Sequence, residues 1–308
     1  MFITGTKIMQ ICRFNKKRAV LWIQNTERYN FVIIINTKHT HFLVPLPSEL
    51  PDRQHNGTKM ILLNSIRTFG DYLVLMKRTL ARPQRLRIFF RQVLHELYQL
   101  GVNSIPIVLI ISFFIGAVIC IQMKLNVESP WMPKFVVGYA TREILLLEFS
   151  SSIMCLILAG KVGSNITSEI GTMRVTQQID ALEIMGVNSA SFLILPKITA
   201  LMSMMPILVI FSIAAGIAGA FAIGKFTGIM TPQDLTVGLQ YEFNQWYIWC
   251  SVIKAIFFAF VITSVASYYG YTVKGGSTDV GKASTNAVVS CSVLILFSDM
   301  VLTQLLMQ

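Results

Sequence analysis

Residues Ser104 to Met123, SIPIVLIISFFIGAVICIQM, form a continuous stretch without a single charged side chain. At about 1.5 Å of rise per residue, a helix of this length crosses a hydrocarbon core of roughly 30 Å. Four more apolar stretches follow, from about Ala140 to Gly160, Ile198 to Gly224, Trp246 to Tyr269 and Asn286 to Leu306. The sequence therefore predicts an all-α integral membrane protein with about five transmembrane helices.

The composition agrees with a membrane location. Hydrophobic residues make up 54% of the chain and charged residues 13%, with a mean hydropathy of +0.61, whereas a soluble domain carries about 25% charged residues. The net charge is +11, but most basic residues flank apolar stretches instead of forming one solvated face. They indicate membrane anchoring and orientation, and no nucleic acid partner is expected. The five cysteines are scattered without C-x-x-C spacing, so no metal or cofactor is predicted.

Two segments precede the first span. In residues 60–101, apolar positions recur at helical spacing among seven Lys and Arg residues, and Pro83 divides the segment. This pattern predicts an amphipathic helix in the membrane interface; the alternative is a helix that binds a partner in solution. Residues 1–59 contain three prolines and only a short apolar run. We interpret them as an extension outside the core, which is either a mis-assigned start ahead of Met60 or a flexible cytoplasmic tail.

The distribution of Lys and Arg predicts the orientation of the spans. Twelve lie in residues 60–101, 160–197 and 271–284, and three lie in residues 123–136 and 225–245. The richer side should be cytoplasmic, which places the C-terminus outside.

The largest predicted cytoplasmic loop, residues 161–197, contains a patterned segment. Val175, Ile179, Leu182 and Met185 would share one face of a helix that Gly186 caps. Such a helix is suited to docking into a partner's groove, although it could also pack against its own bundle.

The same loop carries a resemblance to a known family. Residues 158–186 read LAGKVGSNITSEIGTMRVTQQIDALEIMG, residues 270–284 read GYTVKGGSTDVGKAS, and residues 299–303 read DMVLT. They resemble the signature loop, the last cytoplasmic loop and the final helix of the MlaE (YrbE) family of ABC-transporter permeases. The resemblance covers the chain from about Met60 to its end, with a permease domain at 102–308.

The resemblance implies a homodimeric permease in a bacterial inner membrane. It implies two partners, a cytoplasmic ABC ATPase and an MCE-domain lipid-binding protein, and phospholipid or a similar lipid as cargo. The loop would be the segment that couples to the ATPase. Its predicted coupling side chains are Glu169, Arg174, Ile179, Asp180, Leu182 and Glu183.

One motif imitates a nucleotide site. Residues Gly276 to Lys282 match G-x-x-x-x-G-K, but Ala283 stands where a phosphate-binding loop needs Ser or Thr to hold magnesium. A membrane helix, not a strand, precedes the motif. We therefore expect that the permease is not itself an enzyme and that ATP is hydrolysed by a partner.

Charged residues inside membrane spans are costly and indicate functional positions. Glu148, Lys254 and Asp299 each lie seven or eight positions from the predicted outer end of a span. Equal depth allows Lys254 to pair with both carboxylates and to bind a lipid phosphate; the alternative is a network that only fixes helix packing. The family often has Arg-Glu-Leu-Gly-Pro where this chain has Leu147 to Ser151, LEFSS, so the arginine beside the glutamate is absent.

A different functional class also remains open. In an ion-coupled secondary transporter, Glu148 and Asp299 would carry protons. Such a carrier has no need of a docking helix or a partner ATPase. A membrane scaffold would not explain three ionisable groups at one depth.

The orientation can be tested directly. A reporter that is active only outside the cytoplasm should be active when fused after Gln308 and inactive when inserted into residues 161–197, because the twelve-residue side stays in the cytoplasm. An inactive C-terminal fusion at normal expression would overturn this topology.

Overall fold

The computed structural model describes residues 67–80, 86–127, 133–228 and 231–307, together with the backbone of four strands between residues 7 and 45. The chain divides into two compact units, Met1–Thr68 and Phe69–Gln308.

The N-terminal unit contains an antiparallel sheet in the order β1-β2-β3-β4. The strands are β1 (Lys7–Phe14), β2 (Arg18–Gln24), β3 (Asn30–Asn36) and β4 (Thr40–Pro45). The short apolar run noted in the sequence falls in β3, where Val and Ile suit a strand. All four strands lie within the predicted extension at 1–59, and its separation from the permease remains a prediction.

The second unit is helical in all of its described residues except for short turns, and it confirms the all-α fold class. Among the described residues, five helices are long and apolar enough to cross a membrane, as predicted: α2 (Leu86–Asn126), α3 (Phe135–Val175), α5 (Ser189–Thr227), α7 (Trp246–Tyr271) and α8 (Ser277–Met307). The described residues also include three shorter helices: α1 (residues 67–79), α4 (Gln178–Ile184) and α6 (Pro232–Gln240).

Several helices extend beyond the predicted spans. The amphipathic segment continues into the first span as one helix, α2, with a π-helical and 3-10 stretch from Leu97 to Ser104. Pro83 lies outside the described residues. Helix α8 begins at Ser277, so most of the motif that imitates a phosphate-binding loop is the first turns of a membrane helix. A short turn after α7 precedes it, and no strand does so among the described residues.

Helix α6 has two residues at its start that favour helix formation. Thr231 is the N-cap, and its hydroxyl oxygen accepts a hydrogen bond from the Asp234 amide at 3.2 Å. Pro232 occupies the first helical position, where its missing N–H is not needed.

Helix α5 packs closely along α2 through glycine. A Cβ atom on Gly116 of α2 would overlap the backbone of Gly216, and one on Gly219 would overlap the Phe113 carbonyl. Without side chains at these positions the two backbones come into contact, which is how helices associate in lipid. A buried hydrogen bond of 2.8 Å between the Ser112 and Ser212 hydroxyls adds to this contact.

The small-residue stripe Gly216, Ala220 and Gly224 is therefore used inside the chain. Gly216 lies against α2 and Leu145 of α3, and Ala220 packs with Cys120 and Val137. Gly216 and Ala220 are therefore engaged by packing within the chain.

The α2–α5 contact makes a stability prediction. Gly219→Ala should destabilise the protein by about 1–3 kcal/mol, the usual effect of overpacking, because the new methyl group meets backbone that cannot rotate away. Gly281→Ala in α8, where nothing lies within 4 Å, is the matched control. Thermal unfolding of the full chain in detergent measures both variants. Equal midpoints would contradict the close approach.

Candidate functional site

One wall of the candidate site is a π-helical segment of α3. Residues Leu145–Ile153 depart from α-helical geometry, as often occurs at functional positions. The altered turn leaves backbone carbonyls available to α7. The Leu146 carbonyl accepts a hydrogen bond from Ser251, and the Leu147 carbonyl accepts one from Lys254 at 3.2 Å.

The structure brings the three predicted intramembrane charges together, and Lys254 lies between the two carboxylates. Its Nζ lies 3.0 Å from Asp299 Oδ1 of α8 and 4.0 Å from Glu148 Oε1 of α3. Helices α3, α7 and α8 thus each supply one charged side chain, and the predicted meeting of the three residues is observed.

The three side chains differ in exposure. The Lys254 side chain is 2% exposed and that of Asp299 is 14% exposed, but Glu148 is 49% exposed. An ammonium group has three donors; here two face the Asp299 carboxylate and the Leu147 carbonyl. The third faces Glu148 at a distance too long for a hydrogen bond. The cluster is therefore closed on the α8 side and open at Glu148.

Arg142 does not take the place of the missing arginine beside Glu148. Its guanidinium donates hydrogen bonds of 2.8 Å to the carbonyls of Leu239 and Tyr241, at the end of α6, and pairs with Glu143 at 2.6 Å. A cation beside helix C-terminal carbonyls is favourable. Arg142 therefore holds α6 against α3.

A second lysine cluster was not predicted from the sequence. Lys197 of α5 is almost completely buried, with Nζ 2.6 Å from Glu96 of α2 and 2.8 Å from Glu169 of α3. Glu169, predicted to couple to the ATPase, is thus engaged within the chain. The sequence does contain a signal for this cluster, because Lys197 lies in the apolar run Leu193 to Leu201, which reads LILPKITAL.

The predicted coupling helix is divided in two. Helix α3 ends at Val175, Gln177 adopts a left-handed backbone with φ of 60°, and α4 begins at Gln178. The prediction that Val175 and Ile179 share one helical face is therefore wrong. Gly186 follows α4 with φ of 76°, as predicted for its cap.

Polar contacts hold α4 against the membrane helices. Asp180 pairs with Arg174 at 2.6 Å, and Glu183 accepts hydrogen bonds of 2.9 Å from Ser189 and Tyr271. The hydrogen bonds from Ser189 and then Tyr271 lower the pKa of Glu183. Because the folded pKa lies below the unfolded one, this contact stabilises α4 at neutral pH and is lost as the pH falls through the folded pKa.

The apolar residues of α4 divide between core and surface. Ile179 is fully buried and Leu182 is partly buried, whereas Ile184 is 86% and Met185 is 68% exposed. Ile179 therefore anchors α4 to its own bundle. Ile184 and Met185 form an exposed apolar surface at the end of α4.

Comparison with known proteins finds a matching family model and relatives that are all described as permeases. A family model described as "Permease MlaE" matches residues 93–305. A probable ABC transporter permease protein of Rickettsia bellii is 33% identical over 250 residues, which cover 79% of this chain and 93% of that protein. The intermembrane phospholipid transport system permease protein MlaE of Haemophilus influenzae is 32% identical over 228 residues, which cover 74% and 87% of the two chains.

The buried lysine makes a second stability prediction. Lys254→Ala should destabilise the protein by about 3–5 kcal/mol, the usual effect of breaking a buried ion pair, because the Asp299 carboxylate is left without its partner. Lys225→Ala, at an exposed position of α5, is the control and should change little. Chemical unfolding of the detergent-solubilised chain compares them, and similar stability of the two variants would argue against a buried charge cluster.

Proposed function

This chain belongs to the MlaE permease family, and from that premise we propose that it is the membrane subunit of an ABC-type transporter that moves phospholipid or a related lipid between envelope membranes. In this proposal the permease acts as a homodimer in a bacterial inner membrane. A partner ATPase hydrolyses ATP in the cytoplasm, and an MCE-domain protein handles the lipid outside.

The open side of the Lys254 cluster is the observation that supports a phospholipid as the transported cargo. A phosphate oxygen can take the third donor of the ammonium group if the half-exposed Glu148 side chain moves aside. Asp299 and the Leu147 carbonyl would keep the lysine in place during this exchange. In this proposal a phospholipid that enters from the bilayer brings its headgroup phosphate to the cluster.

Glu148 would then govern release. Its carboxylate and the lipid phosphate are both anions and compete for one lysine. A movement of α3 that brings Glu148 closer to Lys254 than 4.0 Å would favour the ion pair and expel the phosphate. The π-helical turn that carries Glu148 is a natural place for such a movement, because its backbone hydrogen bonds are already altered.

The ATPase would dock on α4. This short helix lies between two long membrane helices, and its exposed Ile184 and Met185 provide apolar anchors within a polar surround. Its contacts with Ser189 of α5 and Tyr271 of α7 would carry a displacement of α4 into the spans.

An ion-coupled carrier is the competing proposal, in which Glu148 and Asp299 exchange protons. The two proposals differ in their energy source. Transport that depends on the partner's ATP hydrolysis and persists when the proton gradient is collapsed favours the ABC transporter. Transport that follows the gradient and ignores ATP would favour the carrier.

Replacement of the whole cluster tests the role of Lys254. A triple variant, Glu148→Leu, Lys254→Met and Asp299→Leu, removes all three charges together and should fold, because no buried charge is left unpaired. We expect it to assemble but to lose lipid transport in proteoliposomes that contain the ATPase and the outer partner. Transport at the wild-type rate would eliminate the headgroup role and leave a packing role only.

Docking through α4 is tested by adding charge to its apolar surface. Ile184→Asp with Met185→Asp should reduce co-purification of the ATPase by at least about tenfold, because two carboxylates would be desolvated at the interface. Phe226→Asp, at an 87% exposed position near the opposite end of α5, is the matched control. Unchanged ATPase recovery with the double variant would exclude this face. Reversing Asp180 and Glu183 is a less specific test, since it would also disrupt the contacts that hold α4.

A further inference from the structure

A polar pocket lies between α2 and α3, away from the Lys254 cluster. Its volume is about 510 Å³, within the range of small-molecule sites. The polar residues that line it are Gln99, Asn103, Ser104, Lys161, Ser164, Asn165 and Ser168, of which Ser104 and Ser164 donate their hydroxyls to carbonyls of their own helices. Lys161 and Glu148 are separated by thirteen positions along α3, about 20 Å at helical rise, so the two sites are distinct.

Both walls of the pocket depart from α-helical geometry at the same level. In α2, Leu97–Gly101 is π-helical and Val102–Ser104 is a 3-10 turn. In α3, Ala159–Gly163 is π-helical. Single π-helical turns inside longer helices often mark functional positions. Two of them facing one pocket from opposite sides indicate that the pocket is a built feature of the fold.

The pocket offers hydrogen-bond donors that the protein does not use. Among the described residues, no hydrogen bond engages the side chains of Gln99, Asn103, Asn165 or Ser168. Lys161 donates one hydrogen bond of 2.5 Å to the Asn103 carbonyl, which holds its ammonium group at the pocket and leaves two donors. Three amides, a hydroxyl and an ammonium group therefore surround a space that contains no carboxylate of its lining residues.

These hydrogen-bond donors indicate which chemical class of ligand the pocket can bind. One positive charge with several neutral donors matches a group that has one negative charge and several acceptor oxygens. The pocket also lies where both helices change from apolar to polar, since α2 has no charged residue from Ser104 to Met123 and α3 has none from Phe149 to Gly160. The exposed Tyr98 beside it suits the membrane interface.

We propose that this pocket binds the phosphodiester headgroup of a phospholipid from the leaflet on the Lys- and Arg-rich side of the membrane. Lys161 supplies the charge, and the amides of Asn103, Asn165 and Gln99 bind the remaining oxygens. The acyl chains follow the apolar surface of α2 below the pocket, where Ile107 and Ile110 are exposed. The site does not depend on Lys254, on ATP hydrolysis or on transport, so it can fail while the proposed function stands.

Binding can be measured on the full chain alone. The delipidated protein in detergent is titrated with phosphatidylglycerol and followed by native mass spectrometry, with diacylglycerol as the lipid that lacks phosphate. Lys161→Gln should weaken phosphatidylglycerol binding about tenfold, the order expected for one charge-assisted hydrogen bond, and should leave diacylglycerol unchanged. Lys161→Arg should retain binding. Lys225→Gln, an exposed lysine elsewhere, should bind like wild type.

A second variant tests the same pocket in case Lys161→Gln does not fold. Asn165→Asp is nearly isosteric at an exposed position without side-chain partners among the described residues, so it should fold and weaken binding by repelling the phosphate. Equal phosphatidylglycerol binding by wild type and Asn165→Asp would overturn the proposal. Displacement of the lipid by inorganic phosphate would also overturn it, because the ligand would then be a soluble anion.

Discussion

Each buried lysine of the membrane unit must be neutralised by carboxylates from neighbouring helices, and this requirement connects the five spans. Lys197 of α5 pairs with Glu96 of α2 and Glu169 of α3. Lys254 of α7 pairs with Asp299 of α8 and approaches Glu148 of α3. An unpaired charge in low dielectric is far more costly than a paired one. Every span therefore contributes a charge to at least one cluster.

Helix α3 is common to both clusters. Glu148 and Glu169 are separated by twenty-one positions, about 30 Å of helix, so the two clusters lie far apart along α3. Helix α3 contains two π-helical segments: Leu145–Ile153, which includes Glu148, and Ala159–Gly163, which lies between Glu148 and Glu169. A displacement at the α4 end of this helix can reach the Glu148 end through one continuous element, while the altered turns provide places where the helix can adjust its rotation.

The close contact between α2 and α5 at glycine residues restricts movement, whereas the π-helical segments of α3 permit it. Backbones that meet at Gly116, Gly216 and Gly219 cannot slide without overlap. The α2–α5 pair is thus a rigid part of the unit, against which α3, α7 and α8 carry the Lys254 cluster. Hinge and shear movements in proteins displace some packed elements relative to others, and this division would suit such a movement.

Local information in the sequence was sufficient for the spans, for Gly186 and for the three intramembrane charges at one depth. These features depend on hydropathy over about twenty residues, on single-residue backbone preferences and on helical rise. Only the tertiary structure decided what each charge contacts: Lys254 lies nearer Asp299 than Glu148, Lys197 joins α2 to α3, and Arg142 holds α6. It also showed that Ile179 faces the core while Ile184 faces outward, after a break at Gln177 that no periodicity predicted. The physical reason is that pairing and burial depend on which helices are neighbours and on how each is rotated, and a linear pattern contains neither.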